Sequence, residues 1–309
     1  MAERLSATQS AFAPAGTNAL LIDELTMVMV VGCALITVFV LGLVIFVTIR
    51  GRVETPIGKW VIGGGIVFPL VVLTALLAYG LIIGNALSVE APDDAPTIRV
   101  TGKRWWWEVR YPDAPGGVRV VSANEVHIPV GRTVRLLLDT DDVIHSFWVP
   151  PLAGKIDMIP GRVNHLVLRA DRAGVYRGQC AEYCGAQHAF MALYVIAHEP
   201  GDYERWLERE AAGAAAHAEA GRGRELFATA GCASCHAIRG TPAVGRLGPD
   251  LTHVASRLSI GAGMFDNNEA TLAGWISNSQ GMKPGNLMPP IRVPPEDLHA
   301  LVAYMASLK

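Results

Sequence analysis

The stretch Cys180-Ala-Glu-Tyr-Cys184-Gly-Ala-Gln-His188-Ala-Phe-Met191 gathers two thiols, an imidazole and a thioether into twelve residues. That is a soft ligand set. Thiolate and thioether sulfur select copper over hard cations, and imidazole completes such a sphere. A disulfide between Cys180 and Cys184, which an oxidising compartment permits, is the other reading of the two thiols. It leaves His188 and Met191 without a role. It also ignores a second histidine upstream, in Asp142-Val-Ile-His145-Ser-Phe-Trp148. Around these motifs, short apolar segments alternate with turn residues at Thr97–Tyr111, Glu125–Val130, Thr133–Asp139, Val163–Ala170, Gly174–Gln179 and Phe190–His198. Residues 91–200 are therefore predicted to form an antiparallel sandwich or barrel.

Further along, Cys232-Ala-Ser-Cys235-His236 is a C-x-x-C-H sequence, the pattern of covalent c-type haem attachment with the histidine as proximal ligand. A thioredoxin-like pair is the rival, but no βαβ pattern surrounds it. Tetrahedral zinc would need a second Cys/His pair at finger spacing. A methionine as sixth ligand would raise the iron's potential. Met288, in Asn286-Leu-Met-Pro-Pro290, sits on a proline-stiffened loop and is preferred, with Met282 in reserve and Met264 also available. Met305 falls with Leu298, Leu301, Val302 and Leu308 on one face of a final helix, so core packing explains it. His253 reads as a surface residue.

Two apolar runs without a charge, Leu25–Ile49 and Trp60–Ile83, precede all of this. Each is long enough to span a hydrocarbon core, and a buried core hairpin is the alternative. Arg50, Arg52 and Lys59 outnumber Glu54 in the connection, which places it in the cytoplasm and everything after Ile83 outside. Cys33 follows Val-Val-Gly, faintly like a lipoprotein cleavage site, but the apolar run continues past it, so it reads as a buried helix cysteine. With 26 Lys and Arg against 28 Asp and Glu, the formal charge of −2 gives no signal for nucleic acid. The predicted organisation is an N-terminal periplasmic segment (1–24), a transmembrane helical hairpin (25–90), the copper-ligand domain (91–200), an Ala- and Glu-rich helical linker (201–221) and a haem domain (222–309).

From the first apolar run to about residue 200 the sequence resembles cytochrome c oxidase subunit II, and residues 222–309 resemble class I cytochrome c. The resemblance implies a membrane-anchored multidomain chain: a two-helix transmembrane hairpin, a cupredoxin-like all-β barrel and an all-α cytochrome c domain. It implies that Cys180 and Cys184 bridge two copper ions (the CuA centre). His145 and His188 would bind one ion each, and Met191 and the carbonyl of Glu182 would be weak ligands. The Glu182 carboxylate would reach a magnesium ion shared with subunit I. Arg162, in Lys155-Ile-Asp157-Met-Ile-Pro160-Gly161-Arg162, would lie near haem propionates of that subunit. Haem c would hang on Cys232 and Cys235 with His236 and Met288 as axial ligands, the proline of Gly248-Pro249-Asp250-Leu251 backing His236.

In Gly102-Lys-Arg-Trp105-Trp106-Trp107-Glu-Val-Arg-Tyr111 the first tryptophan, Trp105, would take up electrons. In a strand, alternation puts Trp105 and Trp107 on one face and Trp106 on the other. The tethered haem makes delivery intramolecular, at an effective concentration of ~mM.

The implied function is subunit II of a haem-copper oxidase in a bacterial inner membrane. Electrons pass from cytochrome c or a quinol–cytochrome c reductase through haem c and the copper pair to subunit I, where oxygen is reduced and protons are translocated. The oxygen-reducing site is on that other chain, and subunit III is a further implied partner. Three rivals differ in feature: a nitric oxide reductase subunit in its catalytic partner, a membrane-anchored copper-delivery protein in lacking the full ligand set and the haem, and a structural quinol-oxidase subunit in having lost the copper ligands. One departure from the family stands out. Trp60–Ile66 contains no acid where many members carry a glutamate for proton uptake, and Glu54 is the nearest.

Overall fold

A computed structural model of the chain describes residues 7–51, 56–88, 90–112, 118–214 and 221–309. Arg52, Glu54 and residues 215–220 of the expected linker lie outside the described residues. The chain divides into two units, Asn18–Glu90 on one hand and Met1–Thr17 with Ala91–Lys309 on the other.

The first unit is helical. Helix α1 runs Thr17–Arg50, and α2 (Ile57–Ile62) continues through a π-helical turn (Gly63–Val67) into α3 (Phe68–Leu87). The turn has a local cause: Pro69 has no N–H to give to the carbonyl four residues back, so the α-helical ladder is interrupted there. At about 1.5 Å per residue, the 34 residues of α1 exceed the ~30 Å hydrocarbon core, so one end projects beyond it. Both spans, Thr17–Arg50 and Ile57–Leu87, are long and apolar enough to cross a membrane. Tyr79 donates to Glu24 at 2.7 Å, tying α3 to α1. The expected burial of Cys33 is not found. It is exposed on α1, because a pair of helices covers only one stripe of each.

The second unit opens with residues 8–16 laid against strands, where Thr8 donates to Val175 and Ala15 to Pro151. Ten strands then form two five-stranded sheets. One has the order β3-β2-β1-β5-β8, built from Val118–Ala123, Trp106–Pro112, Thr97–Lys103, Val134–Thr140 and Asn164–Leu168. The other is β4-β10-β9-β6-β7, from Glu125–Pro129, Ala192–His198, Gly174–Cys180, His145–Trp148 and Ile156–Met158. The all-antiparallel expectation needs correction, since β1 pairs parallel with β5 and β4 parallel with β10. Several intervening strands separate the members of each pair, which is what a parallel pairing requires of its connection. The chain changes sheet at Asn124, whose φ of 63° asparagine tolerates better than most residues. Its side chain accepts from the Trp107 amide at 2.9 Å, so the corner is hydrogen-bonded as well as bent.

The β1–β2 hairpin alters the tryptophan reading. Trp105 stands in the turn before β2, so the pleat does not set its direction, whereas Trp107 is fully buried against Phe147. Helix α4 (Asp202–Ala211) corrects the linker reading in the same way. It is no free spacer, because Tyr203 and Trp206 are buried and Trp206 stacks on His127 with centroids 3.9 Å apart. His127 in turn lies 2.7 Å from the His198 ring nitrogen. Burial first, and the charge of His127 second, push the His198 pKa down to about 4.

The C-terminal part places α5 (Arg222–Thr229) across α7 (Pro295–Ser307), with α6 (Glu269–Met282) and a small hairpin of β11 (Ser259–Ile260) and β12 (Phe265–Asp266) beside them. Asn268 and Thr271 form a capping box at the start of α6. Leu301, Val302, Met305 and Leu308 are buried and Leu298 packs against them. The α5–α7 crossing depends on Gly223: a Cβ there would stand 2.2 Å from the Ala300 carbonyl oxygen.

Two outcomes follow. Gly223→Val should separate α5 from α7 and lower the stability of the C-terminal domain by about 1–3 kcal/mol, read as a lower thermal midpoint of its helical signal with the β signal unchanged. His198 is neutral in the fold down to about pH 4, while in the unfolded chain it takes a proton near its ordinary value of about 6.5. The unfolded state therefore binds more protons in that window, and stability falls as pH drops from about 6.5 to 4. The groups facing this histidine are His127, Tyr203, Trp206, Asp202 and Arg209. His198→Gln should shrink the fall in melting temperature between pH 7 and pH 4, and an identical fall in both proteins would refute the assignment.

Candidate metal centre

Three elements deliver the ligand side chains to one end of the second sheet. Cys180 ends β9, where Phe147 of β6 is its register partner, and that pairing brings His145 of the same strand near it. Cys184 and His188 come from the loop that follows, and Met191 precedes β10. Cys180, Cys184, His145 and Met191 are all buried, with His145 at 0% exposure.

The two sulfurs stand 3.7 Å apart, well beyond the ~2.05 Å of a disulfide, and both thiols are free. His145 Nδ1 lies 3.8 Å from the Cys180 sulfur and His188 Nδ1 lies 3.7 Å from the Cys184 sulfur. The Met191 sulfur is 3.9 Å from Cys184 and the Glu182 carbonyl oxygen 3.2 Å from Cys180. One donor of His145, Cys180 and Cys184 each falls within 4.8 Å of the others. A thiolate-bound metal ion sits ~2.3 Å from sulfur. An ion that distance from both sulfurs lies off the line joining them, which leaves room on two sides. The donors are soft sulfur and imidazole nitrogen, and among the described residues no carboxylate belongs to the group, so the set fits a copper pair.

Electrostatics prepare the thiols. The Cys184 thiol first, and then His145, stabilise the Cys180 thiolate and hold its pKa well below that of a free thiol. The same thiolate, together with burial, pushes Cys184 up. His145 presents Nδ1 inward because its Nε2 is 2.8 Å from Asp142 Oδ1, and such a carboxylate partner orients a ligating imidazole. Burial pushes the Asp142 carboxyl up, but bonds from His145 and from the Arg104 and Val143 amides outweigh it and hold it below the ordinary range. Asp142 was legible in principle, three residues before His145. Its role depends on a turn that the residue types alone do not reveal.

The Glu182 carboxylate lies 3.5 Å from Lys155, which also reaches Asp157. Lys155, Asp157, Arg162 and His165 line one shallow pocket of about 410 Å³. Trp105 donates its indole N–H to the carbonyl of Cys184 at 3.0 Å. Lys283 was not foreseen at all. It is 2% exposed, and its ammonium donates to the carbonyls of Trp105, Phe190 and Gly261 at 3.0, 2.9 and 2.7 Å. Burial pushes its pKa down to about 8, against the opposing pull of Cys184.

In the C-terminal domain the C-x-x-C-H segment forms a 3-10 turn at Cys232–Ser234. His236 Nδ1 lies 2.8 Å from the Pro249 carbonyl oxygen, and burial lowers its pKa, so it presents a neutral imidazole. Gly248 is packed so closely that a Cβ would stand 2.4 Å from the His236 ring. Val244 and Leu247, just before Gly248, and Leu287, just before Met288, are each more than 70% exposed, apolar side chains suited to a porphyrin edge. Met288 is half-buried, and Ser279, Gln280 and Asn286 hold its backbone. Met282 instead turns its sulfur onto Gly274 of its own helix. His253 corrects the surface reading: it is 6% exposed, with Nε2 3.0 Å from the Ala212 carbonyl oxygen, because the segment after α4 covers it.

Comparison with known proteins agrees in both parts. Residues 114–198 match the family model described as cytochrome C oxidase subunit II, periplasmic domain, and residues 220–309 match cytochrome c. Cytochrome c oxidase subunit 2 of Alkalihalophilus pseudofirmus is 39% identical over 248 residues, covering 77% of this chain and 70% of its own. The Bacillus subtilis protein of the same name is 30% identical, covering 70% of this chain and 63% of its own. The crystal structure of the periplasmic domain of subunit II of cytochrome oxidase of Bradyrhizobium japonicum is 35% identical and covers 39% of this chain and 96% of that one, with a TM-score of 0.35. With two spanning helices, a thiol pair flanked by imidazoles and a C-x-x-C-H domain on one polypeptide, the chain belongs to the cytochrome c oxidase subunit 2 family and carries a fused cytochrome c domain.

Proposed function

We propose that the chain is the electron-accepting subunit of a haem-copper oxidase in a bacterial inner membrane, its copper and haem domains on the periplasmic side. Cys180 and Cys184 bridge two copper ions, His145 and His188 bind one each, and Met191 and the Glu182 carbonyl are the weak ligands. Haem c is attached through Cys232 and Cys235, with His236 and Met288 on its iron. Electrons from cytochrome c or a quinol–cytochrome c reductase pass along this chain to subunit I, where oxygen is reduced to water and protons are translocated. Subunit III and a magnesium ion held by the Glu182 carboxylate at the subunit I boundary belong to the same reading.

The observation that supports it most is the 3.7 Å sulfur pair with one imidazole nitrogen standing off each sulfur. A copper-delivery site must release its ion, whereas this one is buried in a sheet end and braced by Asp142. Cys180, Cys184, His145 and His188 would hold a copper pair, which when bound would supply one-electron transfer. The protein's own contribution is placement: β9 carries Cys180, β6 carries His145, and the segment between β9 and β10 carries Cys184, His188 and Met191. Trp105 lies against the Cys184 carbonyl, which supports its assignment as the residue through which electrons come in.

Metal analysis and electron paramagnetic resonance test the assignment. The copper-loaded protein should hold two coppers and show a seven-line hyperfine pattern, and one covalent haem should be present. A four-line, single-copper spectrum would defeat the dinuclear reading. Cys180→Ser or Cys184→Ser should abolish the seven-line signal. Asp142→Ala should weaken copper retention about 10–100-fold, measured by competition with a chelator, with the fold retained by circular dichroism.

A further inference from the structure

Among the polar contacts between the C-terminal domain and the sandwich, a buried lysine makes two. Lys283 follows the end of α6, where Asn286 accepts nothing from it but donates to its carbonyl at 2.8 Å, fixing the backbone. An ammonium has three N–H donors, and here each has a carbonyl. Two of these, Trp105 and Phe190, belong to the sandwich, and one, Gly261, belongs to the C-terminal domain. Leaving a buried donor or acceptor unpaired carries the full cost of taking it from water.

The acceptors are not scattered. Trp105 is the turn tryptophan whose indole reaches the Cys184 carbonyl, and Phe190 precedes Met191. The loop that starts at Lys283 then passes over the same tryptophan. Gln187 donates to Pro284 at 2.8 Å, and a Cβ at Gly285 would stand 3.7 Å from the Trp105 ring. A Cβ at Gly185 would stand 3.1 Å from that ring. Both glycines have positive φ, +114° and +80°, so two backbones lie against the ring at positions that disfavour any side chain. The loop ends at Met288, three residues beyond Gly285. Across the same junction, Ala192 donates its amide to Ala262 at 2.9 Å and Leu258 donates its amide to Glu125 at 2.6 Å.

We propose that Lys283 bolts the C-terminal domain over Trp105, which is left half-buried, so that the copper site takes electrons through this chain's own haem domain in preference to a soluble donor. This rests on the copper and haem reading above. It goes further in naming the residue that favours this route over the direct one. Lys283 is a positioning residue: its ammonium bonds to the backbone carbonyls of Trp105, Phe190 and Gly261, and it acts by holding the Met288 loop and the Trp105 hairpin together.

The test has two arms, both in the full chain assembled in its oxidase. Hydrogen exchange needs neither metal nor haem. Lys283→Met keeps the stem and removes the three donors. It should raise the exchange rates of the Ala192 and Leu258 amides at least tenfold while the amides of β1 and β5 stay protected. Gly263→Val is an independent wedge, since its Cβ would stand 2.8 Å from that of Ala192, and it should free the same two amides. The second arm starts from Cys232→Ala/Cys235→Ala, which cannot hold haem. A reduced soluble c-type cytochrome gives one electron to the oxidised copper site, and becomes oxidised itself. That transfer should be slow with Lys283 present and at least tenfold faster when Lys283→Met is added. Unchanged exchange at Ala192 and Leu258 in both variants, or equal rates of copper reduction with and without Lys283→Met, would overturn the proposal. Absence of copper from the starting protein would instead defeat the functional reading and leave the exchange result to stand.

Discussion

Two sulfur atoms in one loop are held 3.7 Å apart inside a sheet end, too far to bond to each other and too close for both to be anionic without a cation between them. Much of the surrounding architecture answers that constraint. The β6–β9 register places Phe147 opposite Cys180 and so brings His145, two residues earlier, to the sulfur. Asp142 turns the imidazole so that Nδ1 faces inward. Trp107 and Phe147 fill the space behind His145, with the Trp107 ring 6.1 Å from the imidazole. A site built this way moves little when its charge changes, because every donor sits on a strand, or within a few residues of one.

The same economy of movement governs the junction with the C-terminal domain. A buried ammonium is tolerated because three carbonyls replace its water, and those carbonyls come from two domains, so its stability and the docking of the domains are one quantity. The C-terminal domain is itself organised by close approach. Gly223 lets α5 meet α7, and Gly248 lets its loop lie against the His236 ring. Neither contact leaves space for a methyl group, which ties helix crossing and ligand orientation to the absence of a side chain.

Some of this was legible in the residues. The apolar runs are chemically unmistakable: α1 starts eight residues before the first and ends one after it, and the span Ile57–Leu87 extends the second by three residues and four. The last helix showed its face through the spacing of Leu301, Val302, Met305 and Leu308, all buried. Other elements escaped. Strands β6 and β7 are four and three residues long, too short to show a period. The parallel pairings could not be seen, because local alternation looks the same whichever way a neighbour runs. His253 and α4 misled for a common reason. Their burial comes from a distant segment laid over them, and a polar residue is read as exposed until its cover is known.

What the amino-acid sequence determined by itself is chemistry and local form: which donors exist, that two thiols lie four residues apart and two more flank an alanine and a serine before His236, and where the chain can cross a bilayer. What only the tertiary structure decided is distance. His145 and Cys180 are 35 residues apart in the chain, and Lys283 and Trp105 are 178 apart. Side-chain identity and short-range periodicity are properties of neighbouring residues, whereas such separations are closed only by sheet register and by burial that no single segment controls.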